Sequence, residues 1–244
     1  MAEKQTDLVL IEQSDSHWTF VLNRPDKRNA LNADMVEALL DGIDRADAAQ
    51  VPMLIFRGEG KSFCAGFDFA DFESQSEGDL LWRFVRIEQL LQRIYRLPAL
   101  TLGLAQGKNF GAGVDLLLAC QHRVTTEQAT FRMPGLKFGL VLGTRRLGQL
   151  IGFDKARRVQ EVAATLNASE AHAMGLFTQM AEVSQWPEVM QSMAQTAQGL
   201  DRPTRGLLSE ALTAPGDDQD LATLVRSVTR LGLKARIAKY RAGE

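Results

Sequence analysis

The sequence predicts an α/β fold in which a core of strands and helices is followed by a helical C-terminal region. Strand-like and helix-like segments alternate through the first half of the chain. Such alternation is typical of parallel strands joined by crossover helices. Helical patterns then dominate the last third of the chain. We expect residues 1–185 to form the core and residues 186–244 to form the helical region.

Each element follows from a local pattern. Two β-rich runs separated by four polar residues predict a hairpin. Asn32 is a good N-cap for the first helix, whose apolar residues fall on one face. A polar loop is expected at 73–79 and a glycine-rich turn at 107–113. The predicted strands are 7–12, 17–23, 53–57, 99–105 and 122–125, and the predicted helices are 33–48, 79–96, 113–120, 154–164, 169–174, 187–199, 203–213 and 217–240.

Composition excludes several classes of function. The chain has 244 residues, 45% of them hydrophobic, and a net charge of -2, which favours neither nucleic acid nor an anionic membrane as a partner. The polar N-terminal residues lack the pattern of a signal peptide, and no apolar run could cross a bilayer. Two cysteines without a CxxC spacing predict a cytoplasmic protein without disulfides. Three widely spaced histidines give no reason to expect a metal site.

Two loops rich in small residues carry the strongest functional signal. Residues 61–68 (KSFCAGFD) and residues 107–115 (GKNFGAGVD) each follow a predicted strand, and the second loop opens a helix. Either loop alone could be an ordinary turn. Together they could bring two backbone N–H groups to one carbonyl oxygen, which is the geometry that stabilises an enolate.

Four segments in order make the chain similar to the enoyl-CoA hydratase/isomerase (crotonase) superfamily: residues 22–32 (LNRPDKRNALN), 63–68, 107–115 and 163–176. The resemblance implies a ClpP/crotonase-like spiral of ββα units with a C-terminal helical trimerisation region. It also implies a homotrimer or a dimer of trimers. The implied substrate is an acyl-CoA, so coenzyme A would arrive as part of the thioester and no cofactor would be bound permanently.

The same resemblance implies roles for individual residues. The amides of Phe67 and Ala112 would form the oxyanion hole. The adenosine diphosphate part of coenzyme A would lie near five further residues: Arg24, Lys27, Ala30, Ala65 and Asp68. The alternatives are solvated surface charges for Arg24 and Lys27, and a turn-stabilising carboxylate for Asp68.

The sequence departs from the family pattern at the two glutamates that a hydratase uses. Asp115 stands at the first position and Gly135 at the second, and no carboxylate occurs between Glu127 and Asp154. One carboxylate can still move a proton between two carbons, so we predict isomerase-like or weak hydratase chemistry with Asp115 as the proton carrier. Asp115 could instead only satisfy the helix N-terminus.

Other interpretations stay open from sequence alone. The protein could bind acyl-CoA without catalysis, or it could catalyse decarboxylation or thioester hydrolysis in the same oxyanion hole. Four basic residues after the second loop either border the acyl pocket or are solvated loop charges: Arg132, Lys137, Arg145 and Arg146.

Overall fold

The computed structural model describes residues 7–243, and the predictions made for residues 1–6 lie outside this range. A six-stranded sheet forms the first layer. The first two strands pair antiparallel as the predicted hairpin, and the remaining neighbours pair parallel. In spatial order, the strands of this sheet are β1 (Val9–Gln13), β2 (Trp18–Leu22), β3 (Met53–Gly58), β4 (Leu100–Ala105), β6 (His122–Thr125) and β9 (Gln179–Met180).

A second sheet of three short strands was not predicted. It contains β5 (Lys108–Phe110), β7 (Thr130–Arg132) and β8 (Thr165–Asn167). The prediction of a plain glycine-rich turn at 107–113 was therefore wrong in part, because β5 lies inside that turn. Runs of three residues are too short to show the alternation that identifies a strand.

The crossover helices match their predicted positions closely. Asn32 caps α1 (Ala33–Ala48) by accepting a hydrogen bond from the Met35 amide, as expected. The second helix, α2 (Glu77–Tyr95), begins two residues before its predicted start. A reciprocal capping box between Ser76 and Asp79 fixes that start and shortens the expected polar loop. The third helix, α3 (Ala112–Ala119), opens directly from the second small-residue loop.

The C-terminal helices include two departures from prediction. Residues 144–151 form a helix that was not predicted. The predicted single helix at 217–240 is two helices, because Gly232 has a left-handed backbone (φ +75°) at the start of the second one. The helices are α4 (Thr144–Ile151), α5 (Phe153–Val162), α6 (Ala168–Met174), α7 (Trp186–Gln198), α8 (Arg202–Leu212), α9 (Asp217–Val228) and α10 (Leu233–Ala242).

Two apolar clusters cover the two faces of the large sheet. The larger one joins the α1 and α2 side of the sheet to α3, to the second sheet and to the last two helices. The smaller one packs α7 against β3, β4 and β6. The last helix contacts a 3-10 turn at Gly135–Phe138, so the C-terminal region packs against the segment between the second sheet and α4.

Candidate active site

A cavity of about 520 Å³ lies where the two small-residue loops meet α10 and the 3-10 turn at Gly135–Phe138. Its volume is in the range of small-molecule sites. Seven of the eight predicted site residues line this cavity: Lys27, Ala30, Ala65, Phe67, Asp68, Ala112 and Asp115. Segments far apart in the sequence are thus brought to one place.

The two loops contact each other through glycines. Gly66 has a left-handed backbone (φ +84°), and a methyl group on it would lie 3.3 Å from the backbone nitrogen of Ala112. A methyl group on Gly113 would lie 2.8 Å from Cβ of Cys64, closer than real Cβ contacts come. Only glycine permits this approach, which brings the Phe67 and Ala112 backbones to the same wall.

Two backbone amides at this wall are available for a ligand. Within residues 7–243, the hydrogen bonds include none donated by the amides of Phe67 or Ala112. Ala112 is the first residue of α3, where N–H groups have no partner inside the helix and the dipole favours negative charge. These amides can therefore serve an oxygen that becomes negative.

The loop that carries Phe67 is braced from α2. The Phe67 ring stacks on Phe84, with 4.3 Å between ring centres, and the Arg83 guanidinium lies 4.1 Å from the Phe67 ring centre on a cation–π contact. Arg83 also donates a 2.8 Å hydrogen bond to the Asp68 carbonyl. One arginine thus holds both the side chain of Phe67 and the backbone next to it.

Arg24 and Asp68 neutralise each other. Nη1 of Arg24 lies 2.9 Å from Oδ2 of Asp68 and also donates to the Ala30 carbonyl. Oδ1 of Asp68 accepts from the Ala70 amide, so this carboxylate does stabilise its turn. Burial opposes its charge, yet the Ala70 amide and Arg24 lower the pKa of Asp68. Lys27, in contrast, is exposed at the cavity rim.

Asp115 is a buried carboxyl in the lining of the cavity. The residue is 4% exposed, and its Oδ1 has no hydrogen-bond partner in the described part of the chain. Burial raises the pKa of Asp115 to about 8, with Arg146 lowering it and Glu88 raising it. A perturbed carboxyl that faces a cavity is typical of a proton-transfer group. A group that only satisfied the helix N-terminus would accept amide hydrogen bonds.

The position predicted for a second carboxylate is an apolar wall. Gly135 lines the cavity together with Met133, Leu136, Phe138 and Leu140. Of the four basic residues in question, Arg132 lines the cavity, while exposed Lys137 donates to the Glu161 carbonyl.

Arg145 and Arg146 fit neither prediction made for them. Arg145 pairs with Asp220 at 2.7 Å, and Arg146, only 1% exposed, pairs with Glu88 at 2.5 Å. Both are held in ion pairs behind the cavity instead of bordering it or facing solvent.

Three residues at or behind the site were missed from sequence. Gln160 and Tyr240 line the cavity from α5 and α10, and Glu88 lies behind Asp115. Only Glu88 left a signal: it follows Phe84 by four residues and precedes Leu91 by three, so a charge stands on the apolar face of α2.

The remaining expectations concern metals and membranes. Among residues 7–243, no cluster of three histidine, cysteine or acidic side chains could hold a metal ion. No helix in the same range is long and apolar enough to cross a membrane. Cys64 is fully buried, and burial raises the pKa of its thiol to about 12.

Comparison with known proteins places these features in one family. The family model for enoyl-CoA hydratase/isomerase matches residues 13–224. A Mycosarcoma maydis protein named enoyl-CoA isomerase/hydratase is 29% identical over 73% of this chain and 70% of its own length. A Mycobacterium bovis protein named a probable enoyl-CoA hydratase is 30% identical over 78% of this chain and 79% of its own.

Solved structures give the same result. A Bordetella parapertussis protein, provisionally named an enoyl-CoA hydratase/isomerase, is 53% identical, with a TM-score of 0.95 over 96% of this chain and 98% of its own. An enoyl-CoA hydratase/isomerase from Xanthobacter autotrophicus Py2 is 25% identical, with a TM-score of 0.83 over 97% and 98%. This likeness confirms the predicted crotonase-like α/β fold.

Proposed function

The chain belongs to the enoyl-CoA hydratase/isomerase family, and from this we propose that it is an acyl-CoA enzyme that shifts a double bond through a thioester enolate. The amides of Phe67 and Ala112 hold the enolate oxygen, and Asp115 carries the proton. Weak hydration of a conjugated enoyl thioester is a lesser activity of the same site.

One observation carries this proposal: among the carboxyls that line the cavity, Asp115 is the buried one, and the cavity has glycine at position 135. Hydration needs one group to activate water and a second to manage the proton at the neighbouring carbon. With glycine at the second position, with Asp68 paired to Arg24 and with Asp26 exposed, Asp115 is the carboxyl left for proton transfer. A single carboxyl suffices for isomerisation because the same proton leaves one carbon and returns to another.

The reaction balances with these residues alone. The ionised Asp115 removes a proton from the α-carbon of a β,γ-enoyl thioester, and the electron pair moves onto the thioester oxygen. Two amide hydrogen bonds stabilise that oxygen, and each is worth about 3 kcal/mol of barrier. The enolate electrons then form the α,β double bond, the β,γ double bond opens, and Asp115 returns the proton to the γ-carbon.

Coenzyme A would enter past the first loop. Lys27 is exposed at the rim and carries the positive charge that a diphosphate needs. The small side chains of Ala30 and Ala65 leave space along the cavity wall for an extended group. Arg24 would act on the cofactor part indirectly, by fixing Asp68 and the Ala30 carbonyl.

The assembly and compartment are part of the proposal. The helix α8 exposes Leu207, Leu208 and Leu212, and Leu231 is exposed before α10. Such apolar positions favour burial against other copies in a homotrimer or dimer of trimers. Sedimentation of the protein as a monomer would refute the trimer. Two buried free thiols are consistent with a reducing cytoplasm.

Non-catalytic binding of an acyl-CoA is the second candidate, because Gly135 removes one acid from the site. Decarboxylation and thioester hydrolysis would use the same oxyanion hole. The test uses trans-3-hexenoyl-CoA, whose isomerisation creates a conjugated enoyl thioester that absorbs in the ultraviolet. Wild type should generate this absorbance and Asp115→Asn should not.

Crotonoyl-CoA serves as the parallel substrate, since hydration removes its conjugated absorbance. Rapid loss of that absorbance would make hydration the main activity. Calorimetric binding of both thioesters without turnover would support the binding protein. Turnover that survives in Asp115→Asn would contradict the role proposed for this carboxyl.

A further inference from the structure

A buried ion pair lies behind Asp115. Arg146 from α4 and Glu88 from α2 are each 1% exposed, and their Nη2 and Oε2 atoms are 2.5 Å apart. These two helices both pack on α3, which carries Asp115. Burial opposes the charge of Arg146, but Glu88 and then Asp220 raise its pKa above the ordinary value. The guanidinium is therefore a fixed positive charge that acts on Asp115.

The carboxyl of Asp115 and the guanidinium of Arg146 form no direct hydrogen bond in the described part of the chain. Oδ1 of Asp115 is unpaired, and so is Nε of Arg146, within residues 7–243. Arg146 instead donates from Nη2 to Glu88, and its Nη1 lies 3.4 Å from Oδ2 of Asp220. Asp220 also pairs with Arg145. The charged groups that act on Asp115 are Arg146 and Glu88, with Asp220 and Arg145 beyond them.

Burial and the neighbouring charges together set the protonation state of Asp115. Arg146 already faces two carboxylates, Glu88 and Asp220. Ionising Asp115 would add a third negative charge to a region with little water to screen it. The raised pKa of Asp115, about 8, agrees with this balance. Burial is the largest cause of the raised pKa of Asp115. Arg146 lowers this pKa, and Glu88 raises it.

We propose that Glu88 is a positioning residue for the reaction: by holding Arg146 in an ion pair, it keeps the guanidinium from pairing with the Asp115 carboxyl and so favours the protonated acid. This inference rests on the proposed proton-carrying role of Asp115. It gives Glu88 control over the pH range of the enzyme, although Glu88 never contacts the substrate. A Glu88 that only ties α2 to α4 would leave the titration of Asp115 unchanged.

The test measures the proton on Asp115 directly. Infrared difference spectra of the ligand-free protein, recorded from pH 5 to 10, follow the C=O band of the protonated carboxylic acid. The band that is missing in Asp115→Asn belongs to Asp115. Glu88→Gln keeps the shape and one hydrogen-bonding oxygen but removes the charge. We expect its Asp115 midpoint to fall by about one pH unit or more.

Two further variants test whether a folding defect could explain a shifted midpoint. Glu37→Gln breaks an exposed ion pair with Arg86 and should leave the midpoint unchanged. Arg146→Gln combined with Glu88→Gln removes both charges, so the midpoint should return close to the wild-type value. Circular dichroism checks that each variant is folded.

An unchanged midpoint in Glu88→Gln, or an Asp115 band absent at pH 6 in wild type, would overturn the inference. The proposed function fails on a different result, turnover that persists in Asp115→Asn. The pH dependence of trans-3-hexenoyl-CoA isomerisation should shift by the same amount as the infrared midpoint.

Discussion

The guanidinium group of Arg83 lies 4.1 Å from the centre of the Phe67 ring, and the same group donates to the carbonyl of the next residue. Phe67 supplies one of the two amides proposed to hold the thioester oxygen. A helix side chain therefore fixes the direction of a backbone N–H in a loop.

Removing this brace should impair catalysis more than binding. In Arg83→Met, we expect kcat for isomerisation to fall about tenfold with a smaller change in KM, because a displaced donor is felt mainly in the transition state. Arg86→Met is the matched control, since Arg86 is on the same helix but pairs with Glu37 away from the loop. Equal losses in both variants would contradict the role of Arg83.

Gly143 makes room for the proton carrier. Its backbone is left-handed (φ +64°), and a methyl group on it would overlap Oδ1 of Asp115. In Gly143→Ala, we expect turnover to fall at least about tenfold, since the carboxyl must move. Calorimetric affinity for the thioester should change little. Gly175→Ala imposes similar backbone strain (φ +92°) at the end of α6 and should leave turnover intact in the folded protein.

The rate should depend on pH through Asp115. Only the ionised carboxyl can accept the α-proton, and its pKa is raised to about 8 by burial. We therefore expect kcat/KM for trans-3-hexenoyl-CoA to rise with pH through about 8 and then to level off. A rate that decreases above pH 8 would instead indicate that the protonated acid acts first.

The same proton affects stability. The folded state holds it up to about pH 8, whereas the ordinary pKa of an aspartate is 3.8. The folded state thus binds more protons between these values, and this contribution to stability falls as pH rises. Asp115→Asn should be more stable than wild type, by a margin that grows about 1 kcal/mol or more from pH 5 to pH 8. Urea unfolding at both pH values measures this margin.

Restoring a second carboxyl should restore hydration. A side chain at position 135 would begin at the cavity wall, because Gly135 lines the cavity. Its Cβ would lie 3.1 Å from the Leu140 carbonyl oxygen. In Gly135→Glu, we expect hydration of crotonoyl-CoA to increase at least about tenfold. Gly135→Gln fills the same space without the acid, and an equal gain in that variant would rule out acid catalysis as the cause.

Sequence patterns predicted what is local or repeated. The Asn32 cap, the apolar faces of the first two crossover helices and the two small-residue loops all leave clear signals within a few positions. The resemblance to the crotonase superfamily was needed to name Phe67, Ala112 and Asp115 as site residues, and all three line one cavity. The three-residue strands and the break at Gly232 left signals too short to separate from ordinary turns.

Tertiary contacts explain what the sequence missed in the site. Arg146 looked like a loop charge because its partner, Glu88, is 58 residues earlier. Arg24 looked like a free cation, yet Asp68 neutralises it from 44 residues away. Such pairings depend on which helices become neighbours, and local periodicity does not encode that information.

Tyr240 links ligand binding in the cavity to the stability of the C-terminal helix α10. It reaches the cavity from α10 and packs on Phe138, with 5.2 Å between ring centres. A ligand that fills the cavity would contact this helix and so oppose its local unfolding. Hydrogen exchange of the α10 amides therefore reports occupancy of the site, and a slower exchange should accompany every thioester that binds.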